Sequence, residues 1–242
     1  MLLRRLGALT LTLAALTGCE PGRDGSAAPA ATPTVAPATQ LANAAATLVS
    51  TPHRFTLTSG GFTVGGAADP AAKALTLSTT AAGISAEAVI LDKDYYAKIT
   101  GIPLINGIEG GKWLHLDGNR VTTLARFGIG DLNDPGSARL LIRTAATVER
   151  DGDSGLKGTF DLTIVGTLAG QNVKAMGERA KAVPFTARLD ASGRLAALSL
   201  TVDGKQKYEV GYSDYGTKVP AARPAPGTVV EAPEFVYRFL NN

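Results

Sequence analysis

The sequence predicts an α+β fold in which a long antiparallel sheet is interrupted by helices. Three observations predict it. Short segments of alternating apolar and polar residues recur at near-regular spacing, joined by turn residues, as the strands of an antiparallel meander do. Apolar residues at helical spacing break that meander in the middle of the chain. The 242 residues include a single cysteine, so no disulfide can form within the chain and a hydrophobic core must hold the fold.

The elements follow in order. Leu41, Ala45, Leu48 and Val49 form one apolar stripe, which predicts a helix over 39–50, ended by Pro52. A strand over 53–59 puts Phe55 and Leu57 on one face, and Gly60-Gly61 turns into a strand over 62–64. Asp69-Pro70 is a turn, and 73–79 alternates with Leu75 and Leu77 inward. The meander continues over 84–91, and Asp92-Lys93-Asp94 turns it into 95–100.

After 112–117 the period changes. Val121, Leu124 and Ala125 predict a helix over 119–127. Asp134 reads as an N-cap with Pro135 at the first helical position, ahead of a stripe of Ala138, Leu141, Ile142 and Ala145. Strands resume at 148–150 and 156–165 around the polar turn 151–155. A short helix is expected over 172–182. Two strands, 183–190 and 194–203, form a hairpin about Asp190-Ala191-Ser192-Gly193, and 207–212 is the last clear strand. A sheet of roughly ten strands curls.

The N-terminus carries a different signal. Arg4 and Arg5 precede the uncharged stretch 6–16, which ends in Leu16-Thr17-Gly18-Cys19. This is a secretory n-region and h-region, too short for a bilayer span of about 20 residues. The Leu-x-Gly-Cys pattern resembles the bacterial lipobox, in which the cysteine thiolate receives a diacylglyceryl group and cleavage frees its amine. Residues 1–18 are therefore expected to be a signal peptide and Cys19 a lipid anchor on the cell membrane, with the rest extracytoplasmic. Residues 20–38 are rich in Pro, Ala and Thr with almost no large apolar side chains, a tether without a core. Loss of residues 1–18 removes Arg4 and Arg5 and lowers the formal charge from +3 to +1. No basic run suggests nucleic acid.

Chemistry is sparse. The two histidines, His53 and His115, sit in strand-like segments, and without a free cysteine they make a poor zinc site. Nucleophile elbows and phosphate loops are absent from the sequence. Asp151-Gly152-Asp153-Ser154-Gly155 lacks the remaining ligands of a calcium loop, so a hairpin turn is expected there. Trp113 reads as a core anchor or as a residue of a cavity lip. No cofactor and no enzyme activity is expected.

Several segments in order carry a family resemblance: the lipobox and tether, Tyr96-Ala97-Lys98, Gly111-Lys112-Trp113-Leu114-His115-Leu116-Asp117, Leu132-Asn133-Asp134-Pro135-Gly136, Gly158-Thr159-Phe160-Asp161-Leu162-Thr163, Val183-Pro184-Phe185-Thr186-Ala187-Arg188-Leu189-Asp190 and Tyr208-Glu209-Val210-Gly211-Tyr212. The chain resembles the actinobacterial LppX/LprA/LprF/LprG lipoproteins, which share the fold of the LolA and LolB carriers. The resemblance implies a strongly curved half-barrel sheet with helices over its concave face and a hydrophobic cavity between them. It implies an acylated lipid or glycolipid as ligand, bound and transferred without catalysis, with an envelope transporter as a further partner. Small residues such as Ala86, Ala88, Ala187, Ala197 and Gly166 suit either a cavity or close packing of helices on the sheet.

The expected domain is 39–220. Its cavity lies between Leu57, Leu77, Ala88, Ile90 and Leu162 on the sheet and Leu124, Phe127, Leu141 and Ile142 on the helices. Residues 221–242 form a proline-rich tail outside the resemblance. It either folds back over the cavity mouth or serves as an interaction segment. The competing reading is a non-catalytic envelope adaptor that binds another protein.

Overall fold

A helix at Pro37–Ala46 (α1), continued by a 3-10 turn at Thr47–Val49, is followed by six strands: β1 His53–Ser59, β2 Phe62–Asp69, β3 Ala74–Ala81, β4 Ile84–Leu91, β5 Asp94–Thr100 and β6 Trp113–Asp117. A short helix, α2 at Ala138–Ile142, leads into β7 Ala145–Asp151 and β8 Gly155–Phe160. Two small strands, β9 Thr167–Leu168 and β10 Gln171–Asn172, pair with each other. Then come β11 Val183–Leu189, β12 Leu195–Val202, β13 Gln206–Ser213, β14 Val229–Glu231 and α3 Glu234–Asn241. The computed structural model describes residues 35–101, 111–122, 129, 131–165, 167–168, 171–202 and 204–241, all within a unit that begins at Val35.

Twelve strands form one curved, open sheet in the order β14-β6-β5-β4-β3-β2-β1-β13-β12-β11-β8-β7. All pairs are antiparallel except β14 with β6. With helices on its concave face, the fold is the α+β half-barrel that the sequence predicts.

The elements differ from expectation in five places. The strand expected at 62–64 runs on to Asp69, because Gly65, Gly66, Ala67 and Ala68 pair on both sides with β1 and β3. Gly66 leaves room that a side chain would take, since a Cβ there would lie 2.7 Å from the Phe55 ring. The strand expected at 156–165 stops at Phe160. The Leu162 N–H instead donates to the Ala180 carbonyl at 2.7 Å, which pins the following turn to the 3-10 segment Val173–Ala182. That segment is not the α-helix expected over 172–182, because Gly177 at φ 58 breaks it.

Asp134 does cap α2, but from further upstream than an N-cap. Its Oδ2 accepts from the N–H groups of Arg139 and Leu140 at 2.9 and 3.2 Å across a left-handed Ser137, so the helix begins at Ala138 and not at Pro135. Burial pushes the Asp134 carboxyl above its usual range despite those donors. Of the helix expected over 119–127, residues 118–120 form a 3-10 turn and Val121 is extended; residues 123–127 lie outside the described residues.

One half of the concave face is densely filled. Alternation in β1, β8, β11, β12 and β13 aims Phe55, Leu57, Leu156, Phe160, Phe185, Leu198, Leu200, Tyr208 and Val210 at α1 and α2, which answer with Leu41, Leu48, Leu141 and Ile142. Phe160 and Phe185 stack with centroids 4.0 Å apart. Tyr208 is fully buried and satisfies its hydroxyl by donating to the Gly136 carbonyl.

Candidate ligand cavity

The other half of the concave face, over β2 to β6, is not filled. Here alternation presents Val64, Leu77, Thr79, Ala86, Ala88, Ile90, Tyr95, Ala97, Ile99, Leu114 and Leu116. Many are small, and no helix from the middle of the chain reaches them among the described residues. Helix α3 covers them instead, with Phe235, Val236, Phe239 and Leu240 turned inward. Between sheet and helix lies a cavity of about 530 Å³ whose wall is almost wholly carbon. Two lining residues, Phe62 and Phe239, are themselves 41% and 57% exposed and mark its opening. At the far end Ile90 also borders a smaller polar cleft of about 200 Å³, lined by Asp69, Lys73, Asp92 and Asn133.

Helix α3 reaches this place because the tail wraps the edge of the sheet. Six strands separate β13 from β14, so the proline-rich stretch between them must cross the sheet. Arg223 forms an ion pair with Asp94 on the way, and Lys112 Nζ donates to the Gly227 carbonyl at 3.5 Å. Leu114 and Leu116 face the cavity, so His115 between them faces outward. Its Nδ1 lies 2.9 Å from Glu231 and its Nε2 3.2 Å from Asp94. The Glu231 carboxylate, helped by Asp94, raises the imidazole pKa above its ordinary value.

Beyond β14 the chain folds onto the inner face. The Arg120 guanidinium sits 3.8 Å over the Tyr237 ring and pairs with Glu234. The Tyr237 hydroxyl accepts from the Asp117 N–H at 2.9 Å, and Asn241 Oδ1 accepts from the Thr122 N–H and hydroxyl at 2.9 and 3.0 Å.

The sequence-predicted cavity residues separate into three groups. Leu77, Ala88 and Ile90 line the cavity. Leu57, Leu141, Ile142 and Leu162 do not; they are packed into the filled half, where α2 covers the sheet. Leu124 and Phe127 lie outside the described residues, as does Cys19. Phe235, Val236, Phe239 and Leu240 are not among the sequence-predicted lining residues, although they carry an i, i+1, i+4, i+5 apolar face; the tail folds back over the cavity, one of the two roles left open for it.

Trp113 is neither a core anchor nor a lip residue. It is half-buried on the outer face, with the Lys98 ammonium 4.8 Å from its ring. His53 is buried beside Tyr212, and burial lowers its pKa. Asp151-Gly152-Asp153-Ser154-Gly155 is the β7–β8 turn and start of β8. Among the described residues no group of three or more His, Cys, Asp or Glu side chains is placed to hold a metal ion, and no helix is long and apolar enough to cross a membrane.

No family model and no curated protein matches the chain. Among solved structures, the chain is similar to the crystal structure of the Mycobacterium tuberculosis lipoprotein LppX, with a TM-score of 0.43 and 12% identity, over 76% of this chain and 97% of that one.

Proposed function

We propose that this protein is a cell-envelope lipoprotein that binds an acylated lipid or glycolipid in the cavity beneath α3 and passes it on. The observation that carries this reading is the carbon-walled cavity of about 530 Å³. Water gains too few hydrogen bonds to fill such a space, whereas an acyl chain leaves bulk water to enter it. Burial of each methylene contributes about 0.8 kcal/mol, so about ten methylenes supply micromolar affinity without any catalytic group. The size lies within the range of single-ligand sites, roughly 300–1,000 Å³. Cys19 is the proposed anchor, residues 20–38 the tether and 221–242 the tail that carries the cavity lid.

The test is native mass spectrometry of the full chain purified from membranes, with lipid extraction of the same sample. An acylated species in near one-to-one ratio is expected, and Ala88→Trp, which puts an indole into the cavity, is expected to lose it. A mass free of bound lipid, together with no uptake from offered envelope lipids, would sink the reading in favour of a protein-binding adaptor.

A further inference from the structure

The cavity opens at one end of strands β2 to β5, and the two ends of those strands differ in charge. At the closed end the turns and strand termini carry Asp69, Lys73, Asp92, Lys93, Asp94 and Asp117. At the other end the β1–β2 and β3–β4 tips carry none, and the charges there among the described residues, Lys112, Lys205 and Lys207, lie on their flanks. From Phe55 to Ala68, around the β1–β2 tip, no residue is charged. The same holds from Ala74 to Ala86, around the β3–β4 tip, and for residues 99–101 at the end of β5. Protein surface exposed to water is normally a quarter or more charged.

These tips are also apolar where they are exposed. Ile84 at the β3–β4 tip is 39% exposed, and Phe62 and Phe239, which line the cavity, are 41% and 57% exposed. On the flank, the β12–β13 turn brings exposed Lys205 and Lys207 to the same end, because Ser59 pairs with Tyr208.

We propose that the charge-free tips of β1–β2 and β3–β4 are a membrane-docking surface, which sets the cavity opening into the acyl region of a lipid bilayer. This rests on the cavity reading and names the source of its ligand: the bilayer itself and not lipid free in water. The partner is a lipid surface on three grounds. The patch has no hydrogen-bonding side chains larger than Ser or Thr. It is continuous with an apolar cavity. On its flank the exposed Lys205 and Lys207, the latter paired with Glu209 at 2.7 Å, bring ammonium groups to the end where lipid headgroups would lie. Docking lets an acyl chain pass from bilayer to cavity without crossing water, which removes the hydration cost from the transfer step.

The experiment uses the full chain reconstituted in phosphatidylcholine vesicles whose acyl chains are brominated, a short-range quencher of tryptophan. Ile84→Trp reports the open end, and Ala72→Trp, in the β2–β3 turn, reports the closed end; Trp113 is a constant background. Strong quenching of Ile84→Trp and none of Ala72→Trp is expected. Equal quenching, or none, overturns the proposal and leaves the face to a protein partner. A second arm adds charge without touching the cavity lining. Ala82→Asp/Ile84→Asp is used because Ala82, at φ 51, has a backbone that Asp tolerates. Uptake of a fluorescent fatty acid from vesicles should slow at least tenfold in this variant, while uptake of the same monomeric probe from solution stays as in the wild type. Unchanged uptake from vesicles also overturns docking. If the wild type takes up no probe from solution, the cavity reading fails, and the quenching arm still decides docking.

Discussion

The two halves of the concave face are built from the same sheet and differ in what stands on it. Over β1, β8, β11, β12 and β13 the inward positions hold Phe55, Phe160, Phe185, Leu198 and Tyr208, and α1 and α2 close on them with Leu41 and Leu141. Over β2 to β6 the matching positions include Thr79, Ala86, Ala88 and Ala97, and among the described residues the eight-residue α3 covers them from the far edge. Smaller inward side chains and the placement of the helices together separate a core from a cavity here. The filled half fixes the curvature, and the other half inherits a curved wall with too little to fill it.

Phe160→Ala breaks the filled half and should cost about 3–5 kcal/mol, by analogy with other buried aromatics. Chemical denaturation of the ligand-free protein measures it. Ala88→Trp is the counterpart in the open half. It should weaken acyl-probe binding at least tenfold, about 1.4 kcal/mol, while the denaturation midpoint shifts far less than for Phe160→Ala. If the two substitutions destabilise equally, the space over β4 is packed and the contrast fails.

The histidines divide the same way and respond to pH with opposite sign. Burial lowers the pKa of His53, so below about 6.5 the unfolded chain takes a proton that the folded one refuses, and stability falls as the solution is acidified. His115 is raised by Glu231 and Asp94. Its contribution is full below about 6.5 and is lost as pH rises through the raised value. Stability curves of His53→Gln and His115→Gln between pH 5 and 9 should therefore lose the acid slope and the alkaline slope respectively. The smallest effect belongs to Arg120→Ala. Removing its exposed contacts to Tyr237 and Glu234 should lower the denaturation midpoint only slightly. Hydrogen exchange should show the loss in α3 and not in α1.

Alternation made the strands legible. The hairpin expected at 183–190 and 194–203 is β11 and β12 within a residue, because one face is buried and period two has no competitor. Alternation also shows which residues share a face. It does not show which half of the face is filled, since that depends on where distant helices land. Leu141 and Ile142 form a clear stripe, yet nothing local says that they cover Leu156 and Phe160 and not Ala88. The lid was harder still. Glu234–Asn241 has an apolar face, but its position follows from β14 pairing with β6, a contact across more than a hundred residues. Gly177 and Ser137 defeated the helix boundaries because one left-handed residue outweighs a run of ordinary propensities.

The parallel pairing of β14 with β6 has a consequence in time. His115 and Glu231 are 116 residues apart in the chain, and every strand of the sheet, β14 last, is made before the lid. A chain that emerges from its N-terminus assembles the filled half and the cavity floor first, and gains the wall over the cavity only with its last residues. Until then Leu114, Leu116, Ala88 and Leu77 face water on a preformed sheet. Pairings across so many residues tend to form late in folding, so the wall over the cavity is expected to close after the rest of the sheet.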